Sequence, residues 1–161
     1  MISRLVLACA AIACTLPAAA SEERAQIDAL VAQHAKAHGI PETLVHRVIR
    51  RESGYNPRAS HKGNFGLMQI RYATARGMGY RGTVSGLLDA NTNLTYAVPY
   101  LANAYKVAGG NPDRAVALYA GGYYYEAKRK GLLHTLRTGA SDPVTTGTVS
   151  ASAGFTSANA R

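Results

Sequence analysis

In the segment from Leu44 to Glu52, Leu44, Val48 and Glu52 stand at steps of four, and Val45, Ile49 and Glu52 at steps of four and three. On a helix this spacing makes Glu52 continue an apolar stripe and point toward the core side, with Arg50 and Arg51 on other faces. A carboxyl group held against apolar surface loses hydration in its charged form, so its pKa is expected to rise. It could then act as a general acid that still carries a proton near neutral pH, as a departing glycosidic oxygen requires. Spacing alone leaves a plainer role open: a glutamate at a helix end that caps loop amides or pairs with Arg58.

Other residues of chemical interest are weaker. His34 and His38 lie one helical turn apart, a metal-ligand spacing, but Ala35 stands where a metalloprotease helix needs glutamate and no third ligand is near. Gly77-Met78-Gly79-Tyr80-Arg81-Gly82 spells a dinucleotide fingerprint, yet no clear strand precedes it and no crossover helix or ribose-binding acid follows. With ten tyrosines and no tryptophan, the aromatic content can serve sugar stacking or core filling.

The elements that must position these groups read as helices. Glu22 to His38 carries Ile27, Leu30 and Val31 at helical spacing and stops at Gly39. Pro41 suits the first turn of a second helix, Glu42 suits its positive end, and Gly54 ends it after Ser53. Tyr55 to Phe65 is a loop without periodicity, and no strand-turn-strand pattern is convincing anywhere. Gly66 to Arg76 reads as a short helix, with a brief strand as the alternative, and Gly77 to Gly86 as loop.

Asn91 to Val107 sets Leu94, Val98, Leu101 and Tyr105 on one helical face. Asn111-Pro112-Asp113 provides a cap, a first-turn proline and a dipole-complementing acid for the next helix. Gly121-Gly122 interrupts it before Tyr123 to Leu136 resumes helical character. The fold class is therefore all-α.

The ends of the chain read differently. Residues 1–20 have a cationic start, an apolar stretch from Leu5 to Leu16 and a small-residue close at Ala18-Ala19-Ala20, the pattern of a cleavable secretory signal. The apolar run is too short to span a bilayer. Cleavage after Ala20 would remove both cysteines, Cys9 and Cys14, and with them any disulfide chemistry. Ala11-Ile12-Ala13 before Cys14 is a poor lipid-attachment pattern and leaves lipoprotein anchoring as the lesser alternative. Residues 21–137 fit one domain, and residues 138–161, rich in Ser, Thr, Gly and Ala, read as a flexible tail.

A formal net charge of +9 favours a polyanionic partner. The basic residues are scattered, without the aromatic interleaving of a nucleic-acid platform, so nucleic acid is set aside. For an exported chain the acidic cell-wall polymer is the expected partner.

Four blocks then occur in order: Glu52-Ser53-Gly54-Tyr55-Asn56-Pro57-Arg58-Ala59-Ser60, Gly66-Leu67-Met68-Gln69-Ile70, Asn93-Leu94 with Tyr100-Leu101, and Ala115-Val116-Ala117-Leu118-Tyr119. Together they resemble the soluble lytic transglycosylase family, over about Pro41 to Lys130. The resemblance implies a lysozyme-like helical domain with a glycan groove, acting on peptidoglycan, with Glu52 as acid and base. It implies that Ser53 and the block Gly66, Leu67, Met68, Gln69 line the groove, that Met68 and Gln69 touch sugar or peptide, and that Tyr119 orients the glutamate or an intermediate. Where the family has Tyr-Asn-Ala-Gly, this chain has Tyr119-Ala120-Gly121-Gly122. The run Tyr123-Tyr124-Tyr125 could supply stacking surfaces in place of the missing asparagine, Tyr123 foremost.

Glycosidases ordinarily use two carboxyl groups. In the matched region Glu42 and Asp113 have helix-end positions, Glu126 is the remaining helical acid, and Asp89 stays open as a second carboxylate. Without one, the muramic acid's own C6 hydroxyl can close the reaction, since an internal nucleophile has a high effective concentration. The resemblance implies a 1,6-anhydromuramoyl product, and no metal or organic cofactor is called for. A non-cleaving peptidoglycan-binding module and a lysozyme-type hydrolase are the alternative readings. Wall recycling and service to a secretion or conjugation assembly are both open as the biological use.

Overall fold

The computed structural model describes residues 16–139 of the chain. Residues 1–15 of the leader expected over residues 1–20, with Cys9 and Cys14, and residues 140–161 of the expected tail lie outside the described residues.

Among the described residues six α-helices form the frame: α1 (Leu16–His38), α2 (Glu42–Glu52), α3 (Tyr72–Gly77), α4 (Ala90–Val107), α5 (Pro112–Gly121) and α6 (Tyr124–Arg129). The helix α4 is the axis of the domain and packs against both α1 and α5, while α2 bridges those two. Its Leu94, Val98 and Leu101 have no solvent exposure, as the three- and four-residue steps require, and Tyr105 is half-buried at the rim. Facing them are Ile27, Val31 and Ala35 of α1 and Leu44, Val45, Val48 and Ile49 of α2.

Helix ends follow the local chemistry. Asn111 accepts a hydrogen bond from the Arg114 amide at 2.9 Å with Pro112 in the first turn of α5. Pro41 is itself the cap residue of α2, one position earlier than the sequence suggests, with Glu42 in the first turn. Asp89 caps α4 by accepting from the Thr92 amide at 2.7 Å.

One expectation fails. The segment from Ser60 to Arg71, read as loop and then as short helix with a brief strand as the alternative, contains a small antiparallel sheet: β1 (Ser60–His61), β2 (Asn64–Phe65) and β3 (Ile70–Arg71) in the order β1-β2-β3. Strands of two residues are too short to display a period-two pattern, so only the turn between β1 and β2 carries a signal. There Lys62 and Gly63 both take positive φ, 49° and 79°, as a tight two-residue hairpin demands. Helix α3 starts only at Tyr72. The expected loop after it includes a 3-10 turn, Val84–Leu88, and the helical stretch expected from Tyr123 to Leu136 is broken at Gly131 into α6 and a 3-10 turn, Leu133–Thr135.

Two asparagines of α4 are buried and act as brackets. Asn93 donates to the carbonyls of Phe65 (2.8 Å) and Leu87 (2.9 Å) and accepts from the Met68 amide (2.9 Å). Asn103 donates to the Tyr123 hydroxyl and the Arg137 carbonyl and accepts from the Arg137 amide. A buried amide is retained only where every polar atom it meets is satisfied, and these two tie the irregular segments of the chain to its most rigid helix.

Candidate active site

Glu52 is the last residue of α2, and the chain leaves the helix at once. The amides of Ser53 and Gly54 both donate to the Ile49 carbonyl, and Gly54 takes φ 59°. The Ser53 hydroxyl lies 2.7 Å from the Leu67 carbonyl, to which it donates, and this joins the end of α2 to the loop before β3. Glu52 thereby stands at the wall of a cleft of about 180 Å³ lined by Glu52, Asn64, Gln69, Ile70, Arg71, Thr74, Tyr100, Tyr119 and Ala120. It is the one carboxylate among the lining residues.

The surroundings of Glu52 are more mixed than the stripe suggests. Val45, Val48 and Ile49 are buried beneath it, but the Glu52 side chain keeps 24% of its exposure. Arg51, expected on another face, bends back so that its Nε lies 3.6 Å from Glu52 Oε1. The arginine stem is long enough to cross the helix surface, so a neighbour in sequence reaches a group that backbone geometry would separate. Arg51 is itself 56% exposed, which keeps this pair weak. The partner is Arg51 and not Arg58.

Of the residues expected in the groove, Glu52, Gln69 and Tyr119 line the cleft together. Gln69 takes φ 49°, a left-handed conformation uncommon for a residue with a side chain. Its Nε2 donates to the carbonyls of Ala59 and Gly66, each at 3.0 Å, and this double anchor holds the strained backbone. The amide oxygen is left as the spare hydrogen-bonding atom.

Tyr119 is buried, and its hydroxyl donates to the Met68 carbonyl at 2.8 Å. Burial, then the nearby charges of Glu52 and Tyr100, push its pKa well up, so it remains a donor. Loss of that hydroxyl would leave a buried carbonyl unsatisfied. Tyr119→Phe is therefore expected to lower stability by about 1–3 kcal/mol, read as a shifted urea midpoint at constant slope.

The other expected residues are placed differently. The side chains of Leu67 and Met68 are fully buried, so neither can present its side chain to a ligand in this conformation. Gly66 is also buried, with φ 71°, and a methyl group there would run into the Asn93 amide and the Leu87 carbonyl. Ser53 is spent on the Leu67 carbonyl and is not among the lining residues. These four shape the loop that presents Gln69.

Tyr123 is likewise outside the lining set. It accepts from Asn103 at 2.9 Å and packs on Tyr100 with ring centres 4.7 Å apart. Burial pushes its pKa up to about 12. Tyr100 in turn meets Tyr119 edge-on at 5.4 Å, so Tyr123 supports the cleft from behind. In the same run, Tyr124 and Tyr125 are exposed and meet edge-on.

Asn64, Arg71, Thr74 and Tyr100 are cleft residues that the sequence does not single out as such. Asn64 faces Arg71 across β2 and β3, and the strands are too short to be read. Tyr100 sits where a tyrosine on a core helix is usually taken for packing. Ala120 lines the cleft at the position where the family motif has asparagine.

The set-aside motifs have ordinary structural partners. His34 bonds the Asn91 side chain at 2.9 Å and His38 bonds Arg137 at 2.8 Å. Gly77 to Gly82 follows a helix, not a strand. Asp89, kept open as a second carboxylate, is the α4 cap and borders a different depression, with Leu88 and Asn91.

A single carboxylate between amide, hydroxyl and guanidinium groups, with tyrosine faces beside it, suits a polar polymer rich in hydroxyl groups. Compared with known protein families, residues 29–133 match the Transglycosylase SLT domain. That stretch is well over half of the 161 residues and contains α2, the small sheet, α4 and the whole cleft. With its mainly helical, lysozyme-like architecture and the Glu52 cleft at the end of α2, the chain belongs to the transglycosylase SLT domain family.

Proposed function

We propose that the protein is an exported lytic transglycosylase that cleaves the β-1,4 bond between N-acetylmuramic acid and N-acetylglucosamine in peptidoglycan. The observation that carries this reading is that Glu52 is the only carboxylate on the cleft of an SLT-domain chain, among the described residues. Residues 21–137 would be the catalytic domain.

In this reading Glu52 donates its proton to the glycosidic oxygen, which leaves as the C4 hydroxyl of the glucosamine unit. The carboxylate so formed takes the proton of the muramic acid's C6 hydroxyl. The freed oxygen closes on C1, giving a 1,6-anhydro end. The nucleophile is already part of the substrate, so no water and no second acid are needed. Gln69 and Thr74 supply hydrogen bonds to sugar hydroxyl and acetamido groups, and Tyr100 supplies an apolar face. With Ala120 in place of the family's asparagine, Asn64 and Gln69 are the amides left to serve the cleft.

Digestion of purified sacculi with mass analysis of the released ends tests the reading. Anhydromuramoyl ends are expected. Reducing ends would mean lysozyme-type hydrolysis, and binding without release would mean a wall-binding module.

Asp89 separates a one-acid from a two-acid mechanism. Asp89→Ala should lower stability by about 1 kcal/mol through loss of the cap and leave the rate of fragment release unchanged. A large loss of turnover in a folded Asp89→Ala protein would make it a catalytic partner.

A further inference from the structure

The cleft holds a cation without an ion-pair partner. Arg71 is exposed and lines the same cleft as Glu52, yet no carboxylate among the described residues pairs with it. Its position is fixed by the sheet. On β3, Ile70 is buried and Arg71 faces outward, and across the strand pair Arg71 stands directly opposite Asn64 of β2. Residues directly opposite on an antiparallel pair share a face, and both Asn64 and Arg71 line the cleft. Thr74, three residues on in α3, also lines the cleft. Arg51, the other arginine near Glu52, is already turned onto that carboxylate.

A planar guanidinium with an amide on the same cleft is suited to a carboxylate, which it can grip with two parallel hydrogen bonds. Neutral sugar hydroxyl groups do not need such a charge. Resting on the peptidoglycan reading above, we propose that Arg71 is a specificity-determining residue that, with Asn64, binds a carboxylate borne by the muramic acid substituent. That carboxylate is either the free lactyl group of a strand without peptides or an acid of the attached stem peptide.

The test compares three substrates: intact sacculi, amidase-treated sacculi with free lactyl groups, and sacculi whose carboxylates are capped as methylamides. Wild type is expected to prefer a carboxylate-bearing form over the capped form on the order of tenfold in kcat/KM, mostly through KM. Arg71→Met should bring that ratio close to one, and Arg71→Lys should restore part of it. Arg81→Met, which removes an equal charge from an exposed position outside the cleft, should leave the ratio intact. Preference for intact sacculi assigns the stem peptide, and preference for amidase-treated sacculi assigns the lactyl group. An unchanged ratio in Arg71→Met, or an equal loss in Arg81→Met, overturns the proposal.

Should wild type release no fragments from any substrate, the transglycosylase reading fails separately. Co-sedimentation with capped and uncapped sacculi then still decides the role of Arg71. A preference for uncapped sacculi that Arg71→Met removes supports it, and no such difference overturns it.

Discussion

Glu52→Gln is expected to abolish release of fragments from sacculi, with a fall in turnover on the order of a thousandfold or more, because in the proposed mechanism one group performs both proton transfers. The amide is the same size as the carboxyl group but can neither give up a proton to the leaving oxygen nor take one from the incoming hydroxyl. The fold should survive. The side chain is at the cleft wall and 24% exposed, and the only ion pair lost among the described residues is the 3.6 Å contact with the exposed Arg51. Circular dichroism and the urea midpoint should match wild type, and co-sedimentation with sacculi should persist. A Glu52→Gln protein that still cuts would shift the catalysis to another group.

The largest structural effect is expected at Gly66. Its φ of 71° belongs to the left-handed region, where a side chain costs about 1–2 kcal/mol. The added methyl group would meet the Leu87 carbonyl and the amide of Asn93, the residue that bonds Phe65, Leu87 and Met68. Overpacking a site of this kind adds about 1–3 kcal/mol, and each buried polar group set free adds about 1–3 more. Gly66→Ala should thus lose roughly 4 kcal/mol or more, a large part of the 5–15 kcal/mol that holds a typical domain together. Urea unfolding measures it directly, and a midpoint equal to wild type would show that the loop can relax around the methyl group. Asn93→Ala, which opens space instead of filling it, should also destabilise, through orphaned amide and carbonyl groups.

These two sites differ in how far the sequence announces them. Glu52 stands out because an acid breaks an otherwise apolar helical face, and the blocks that follow it in order match a known family. The cap Asn111 and the core face of α4 are legible for a similar reason, since they depend on local chemistry and on a 3.6-residue repeat, whereas Asp89, held open as a second carboxylate, shows itself as a cap only in the structure. What the sequence hides is the cleft's far wall. Asn64 and Arg71 become neighbours only through strands of two residues, whose pairing is set by the Asn93 bracket and the Lys62-Gly63 turn. A register that depends on a long-range amide and a two-residue turn leaves no periodic pattern in the sequence.

The motif residues Leu67 and Met68 teach the converse. Read as contact residues by resemblance, they are core residues whose backbone carbonyls anchor Ser53 and Tyr119. Arg51 shows the limit of helical-wheel logic, because a long side chain can return to a face its Cβ leaves.

Digestion of sacculi in water enriched in heavy oxygen, followed by mass analysis of each new muramoyl end, probes the one-carboxylate chemistry most directly. Closure by the substrate's own hydroxyl at the Glu52 cleft predicts anhydro ends that carry no label. Labelled reducing ends would show that water is the nucleophile and contradict the account.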